Sequence, residues 1–167
     1  MFLNAGDQNT GMPESDLLDS LPDFVLLKYM NLDAMVAGNH EFDKPINILK
    51  LQEQCLGCPI LSANIKDSRN ALLLKPYIIK KYDSISVGVI GLTTELTKIL
   101  EPTNLEDYTF DNAVATARKY LPELKNQAQL VIALTHLGYR NKSVTNIDYT
   151  IFDELVADVD GIDVIID

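Results

Sequence analysis

Short apolar runs set the terms for what this chain can fold into. Asp33–Ala37, Pro59–Ala63, Ile85–Gly91, Leu130–Leu134 and Ile162–Ile166 are five to seven residues long. Runs of that length, bounded by turn residues, read as buried strands rather than helices. Met1–Ala5 reads as the end of a further strand. Between them lie segments with helical spacing. Residues 23–30 carry Phe24, Leu26, Leu27 and Met30; 45–54 carry Ile46, Ile48, Leu49 and Leu51; 112–125 carry Ala113, Val114, Ala117, Tyr120, Leu121 and Leu124; and 149–159 carry Ile151, Phe152, Leu155 and Val156. Strands alternating with helices predict an α/β domain.

Local signals refine the outline. Pro13–Asp16 carries helix-start signals, and Pro22 divides that helical region into two pieces. Gly57 suits the C-terminal cap of the 45–54 helix. Asp111 is the expected N-cap of the 112–125 helix, and Pro122 predicts a bend within it. Lys75–Lys81 and Ile85–Gly91 flank Tyr82–Ser84 and read as an antiparallel pair joined by a short turn. Leu92–Leu96 reads as a loop or short helix, and Pro102–Tyr108 as a loop. No repeat, low-complexity tract or linker divides the chain.

What closes the runs is chemically informative. Asp33–Ala37 runs into Gly38, Asn39, His40, Glu41, Phe42 and Asp43. In α/β sheets ligands gather at the carboxyl ends of strands. Asn39 offers a neutral oxygen. His40 and Asp43, three apart, face one side of a helical turn, where the carboxylate fixes the imidazole tautomer. Asp7 follows the first strand and His136 follows Leu130–Leu134. Taken singly, Asp7 suits a turn or N-cap, and a lone histidine after a strand is usually structural. Three such groups at three strand ends point to a metal site.

Composition narrows the partners. The chain has 167 residues, 47% of them hydrophobic, and a formal net charge of −10. That balance disfavours a nucleic acid polymer as partner. It is compatible with a phosphate ester where metal ions reverse the local sign. No run approaches the ~20 apolar residues of a membrane span, and no signal peptide is visible. Cys55 and Cys58 form a Cys-x-x-Cys without two further zinc ligands to spare, and read as packed or locally bridged cysteines.

Gly6-Asp7, Gly38-Asn39-His40-Glu41 and Thr135-His136-Leu137-Gly138 resemble the ordered blocks of the calcineurin-like metallophosphoesterases. Pro13–Asp16, the Gly38–Asp43 block, Leu61–Ile65 and Val89–Thr94 narrow the resemblance to the bacterial 5'-nucleotidase and UDP-sugar hydrolase branch. The resemblance implies a layered α-β-β-α sandwich. It implies hydrolysis of nucleotide phosphate monoesters with two divalent ions that share Asp7, one of them also held by Asn39 and His136. Mn, Zn, Co and Fe all suit such donors. His40 then contacts the phosphate or leaving oxygen, oriented by Asp43. Asn64 acquires interest only through the resemblance; alone it reads as a turn residue.

The family's Asp-x-His block, its Gly-His-x-His block and the C-terminal substrate-binding domain have no counterpart within residues 1–167. The expectation is therefore a partial catalytic domain, incomplete at both ends. Such a piece is expected to bind at most one metal, weakly, and to turn over poorly or not at all. An exposed sheet edge is expected to favour dimers or aggregates. The resemblance places the parent protein in the periplasm or cell envelope. Alternative functions are a 2',3'-cyclic phosphodiesterase, a UDP-sugar hydrolase, or a non-catalytic binding scaffold.

Overall fold

Alternation along the strands explains why the apolar runs are continuous. The structure is a computed structural model that describes residues 1–138 and 151–167. Ala34 and Val36 of strand β2 (Ala34–Val36) point one way and Met35 the other, and all three are buried. In β6 (Ser86–Thr93), Val87 and Val89 face one side, and Ile90 and Leu92 the other. In β8 (Leu130–His136), Ile132 and Leu134 oppose Val131 and Ala133. Side chains alternate across a strand, so a strand covered on both faces must be apolar throughout.

Two sheets share the seam. One has the order β1 (Leu3–Asn4), β2, β3 (Ile60–Leu61), all parallel. The other has the order β5 (Tyr77–Lys81), β6, β8, β9 (Val164–Ile166). Its β5–β6 pair is antiparallel, while β6–β8 and β8–β9 are parallel. Ala34, Val36, Leu61, Val87, Val89, Ile132 and Leu134 form the core between the sheets. The outer face of the first sheet is covered by α2 (Leu21–Tyr29) and α3 (Ile46–Leu56), with Phe24, Leu27, Leu49 and Leu56 packed on Met35 and Ile60. The outer face of the second is covered by α5 (Ala113–Gln127) and α6 (Ile151–Asp158). The layers are α-β-β-α, the sandwich that the resemblance implies. Full burial of a residue such as Met35 or Leu124 is worth about 2 kcal/mol each.

Several local expectations hold and several are corrected. The region after Met12 is two helices, α1 (Pro13–Leu17) and α2, and Pro22 lies in the first turn of α2, where its missing N–H costs nothing. Gly57 ends α3 with a φ of 73°. The N-cap of α5 is Asn112, not Asp111: the Asn112 Oδ1 accepts from Ala115 N at 2.9 Å. Asp111 is spent elsewhere, its backbone on Asn64 and its carboxylate on Lys66. Helix α5 runs on past Pro122 to Gln127. Two strands escaped the sequence reading. β4 (Ile65–Asp67) and β7 (Tyr108–Phe110) pair antiparallel, in part where a loop was expected. Strand β6 continues through Leu92 and Thr93, and the short α4 (Thr97–Leu100) follows. Of the helix expected over 149–159, residues 149 and 150 lie outside the described residues. Cys55 and Cys58 are free and half-buried against α3 and its core. Burial and the Glu53 charge push the Cys58 thiol up to about 11.

Candidate metal centre

Asp7 and His136 meet where the carboxyl ends of the two sheets converge, with the Asn39–Asp43 turn beside them. Parallel pairing of Leu3 with Ala34 and Asn4 with Met35 brings the loop after β1 out beside the loop after β2. The two loops touch through glycine. A Cβ on Gly6, whose φ is +94°, would stand 2.7 Å from Gly38 N and 2.9 Å from Val36 O. A Cβ on Gly38 would stand 2.2 Å from Asp7 Oδ1. Asp7 itself has a φ of 56°, a left-handed conformation that costs a non-glycine residue about 1 kcal/mol or more. That turn aims its carboxylate across the seam between the sheets. Asp7 Oδ1 accepts from His40 N at 3.0 Å, and Oδ2 lies 3.1 Å from His136 Nε2.

His136 comes from the second sheet, as the last residue of β8. Its carbonyl accepts from Thr94 N at 2.8 Å, and its Nδ1 lies 2.7 Å from Ala5 O. A carbonyl oxygen only accepts, so Nδ1 carries a hydrogen and Nε2 is the nitrogen turned to Asp7. Nε2 of the neutral ring and a carboxylate oxygen are both acceptors. At 3.1 Å they require a positive charge between or on them. Burial disfavours charge on His136. The Asp7 hydrogen bond, the Ala5 carbonyl and the charges of Asp7 and Glu41 outweigh it and raise its pKa to about 9. Burial alone would raise the Asp7 pKa, but the hydrogen bonds and charges of His136 and His40 hold it below its ordinary value.

His40 opens a 3-10 turn, His40–Phe42. Its Nδ1 lies 2.9 Å from Asp43 Oδ2, which the three-residue spacing predicts. The His40 side chain is 41% exposed, the Asp43 side chain 22%. Burial works against the imidazolium, yet the Asp43 hydrogen bond and the charges of Asp43, Asp7 and Glu41 leave the His40 pKa raised. Asp43 is held from three further directions. Thr10 Oγ1 donates to its Oδ2, Asn104 Nδ2 donates to its carbonyl at 3.1 Å, and the Glu101 carboxyl lies against its side chain. Asn39 precedes this turn, half-buried, and its side-chain amide makes no hydrogen bond among the described residues.

Sequence reasoning missed the supports. Glu41 stands in the quoted motif without a role, yet it is completely buried and accepts from four backbone N–H groups. Asp167 accepts from Thr135 Oγ1 at 2.6 Å, Leu137 N at 2.7 Å and Gly138 N at 3.1 Å, holding the loop that follows His136. Asp167 gave one signal, an acidic residue at the end of an apolar strand; Glu41 gave none. Asn64 is a staple rather than a ligand. Its buried amide donates to Thr93 O and Asp111 O and accepts from Ser62 Oγ and Thr93 N.

Among the described residues no three His, Cys, Asp or Glu side chains are gathered to hold a metal ion. The donors in contact are one carboxylate and one imidazole whose remote nitrogen is fixed by a carbonyl, with the Asn39 amide on the adjoining turn. Carbonyl-anchored imidazole with carboxylate is the donor chemistry of divalent transition metals.

Residues 1–166 match the calcineurin-like phosphoesterase family model. The chain belongs to the calcineurin-like phosphoesterase family. A Vibrio cholerae 5'-nucleotidase is 43% identical over 143 residues, covering 83% of this chain and 26% of that protein. Protein UshA of Escherichia coli is 41% identical over the same coverage. Among solved structures, a putative 5'-nucleotidase from Staphylococcus aureus superposes with a TM-score of 0.84 at 27% identity, over 98% of this chain and 34% of that one. This phosphoesterase chain thus spans about a quarter of the length of the curated relatives it matches. The family works with divalent metals. Among the described residues no helix is long and apolar enough to cross a membrane.

Proposed function

We propose that the pocket is part of a metal-dependent phosphoesterase centre that hydrolyses nucleotide phosphate monoesters. The observation that carries this reading is the 3.1 Å approach of Asp7 Oδ2 to His136 Nε2, with Nδ1 committed to Ala5 O. Asp7, Asn39 and His136 would hold one divalent ion, and Asp7 would be shared with a second. Ions of Mn, Zn, Co or Fe fit these oxygen and nitrogen donors. Such an ion supplies Lewis acidity to phosphoryl oxygens and makes water a better nucleophile at neutral pH.

The protein's own residues do the rest. Asp43 holds His40 Nδ1–H, which leaves Nε2 to meet a phosphoryl or leaving oxygen. The raised pKa of His40 favours the protonated ring, a donor to that oxygen. Ala5 O fixes the His136 ring so that Nε2 faces Asp7 and would be free to hold the ion. The named activities of the relatives support a nucleotide as substrate, and the resemblance supports the periplasm or cell envelope for the whole protein.

Product release from AMP (adenosine and phosphate), UDP-glucose (UMP and glucose 1-phosphate) and 2',3'-cyclic AMP (an adenosine monophosphate), with Mn2+ and with EDTA, tests the reading in the whole protein. Mn2+-dependent release that is fastest on AMP and lost in Asp7→Ala is the expected result. Preference for UDP-glucose or the cyclic ester would shift the substrate. Mn2+ binding without turnover of any ester would make this a binding scaffold.

A further inference from the structure

Glu41 is the one carboxylate among the described residues with no exposed surface at all. It makes no ion pair among them. Its Oε2 accepts from Asp7 N at 2.8 Å and Gly38 N at 2.7 Å. Its Oε1 accepts from Gln8 N at 2.7 Å and Asn9 N at 3.1 Å. Three of these donors are consecutive residues in the loop after β1; the fourth lies in the loop after β2. Glu41 itself lies in the His40–Phe42 turn. One side chain thus ties together the segments that carry Asp7, Asn39 and His40.

Resting on the metal-centre reading above, we propose that Glu41 is the positioning residue of this centre: its buried carboxylate gathers the N–H groups of the Asp7 loop and Gly38 and so sets where the Asp7 carboxylate meets His136. Complete burial keeps it from substrate, so it acts only through the residues it holds. Asp7 needs such a clamp because its backbone sits at a φ of 56°. All four partners are donors, so the clamp requires two acceptor oxygens. A glutamine in its place turns an NH2 group against two of the N–H groups and leaves them buried without a partner, the costlier failure for a hydrogen bond.

The test uses the full chain as wild type, Glu41→Gln and Glu41→Asp. Amide hydrogen exchange is read in metal-free protein, and Mn2+ affinity by calorimetry. In Glu41→Gln, exchange at Asp7, Gln8, Asn9 and Gly38 should accelerate while Val89 and Ile132 stay protected. Mn2+ affinity should fall about tenfold to a hundredfold, the usual cost of losing a support behind a ligand. Glu41→Asp keeps the charge but shortens the reach, and should fall between. A Glu41→Gln protein with lowered melting temperature but unchanged Mn2+ affinity would overturn the proposal, since a merely structural residue behaves that way. Should Glu41→Gln not fold, Glu41→Asp is judged by the same criterion. If the wild type binds no Mn2+, the metal-centre reading fails, and the exchange pattern still decides whether Glu41 holds the Asp7 loop.

Discussion

Gly38→Ala tests the geometry of the centre with a single methyl group. The added Cβ would meet Asp7 Oδ1 at 2.2 Å and Asp7 N at 2.7 Å, where ordinary contact begins near 3.4 Å. Backbone cannot yield that distance cheaply, because Asp7 N and Gly38 N are both tied to Glu41. The Asp7 carboxylate must therefore move by about 1 Å, a displacement that can cost ~100-fold in rate at a reacting centre. Moving it stretches its contacts with His40 N and His136 Nε2. Charge-assisted bonds are worth about 1.5–3 kcal/mol each, and partial exposure of Asp7 argues for the lower end, so the stability loss should be near 3 kcal/mol. Urea unfolding gives the stability and Mn2+-dependent phosphate release from AMP gives the rate. Gly11→Ala is the control, since nothing lies within 4 Å of its Cβ position. Gly38→Ala matching Gly11→Ala in both assays would refute the reasoning.

The His136 ion pair gives a pH dependence. Its folded-state pKa is raised from 6.5 to about 9, so its stabilisation is full below pH 6.5 and drains away as pH rises through 9. For a mostly buried ring the amount is about 3 kcal/mol, read as urea stability of metal-free protein at pH 6 against pH 10; equal loss in Asp7→Asn would count against this assignment. Asn64→Ala strips a buried staple of four hydrogen bonds and should cost about 3 kcal/mol in urea unfolding while leaving Mn2+ affinity unchanged. A loss below about 1 kcal/mol would mean that water or neighbouring groups replace those bonds.

The layered fold was readable because both faces of β2, β6 and β8 are buried, which leaves a run without polar interruptions. The His40–Asp43 pair was readable because three-residue spacing on a turn is a local property. What stayed hidden is long-range. β4 and β7 are three residues each, too short for a period to register, and each is a strand only because the other lies beside it. Asp111 and Asn112 look equally good as caps until Asn64 and Lys66 claim the first. Glu41 is indistinguishable in sequence from a solvated acid. Its role depends on four N–H groups, three of them more than thirty residues away.

The strand-end reasoning anticipated that Asp7 and His136 come together, but through too simple a picture. A single open sheet would align Asp7, Asn39 and His136 along one edge. Here Asp7 and Asn39 follow strands of one sheet and His136 ends a strand of the other, and Asp7 meets His136 because the Ala34–Val36 and Ile132–Leu134 faces pack together. The centre is therefore only as well defined as the core between the sheets. This accounts for the carboxylates placed behind it: Glu41 gathers the loops of the first sheet, and Asp167 the loop that leaves the second. It also assigns an ion a structural effect. A cation held by Asp7 and His136, as proposed above, would need both sheets in place, and its binding energy would then add to the stability of the sandwich. The geometry of the candidate centre and inter-sheet packing are then one property, fixed by the same few atoms at the end of the seam.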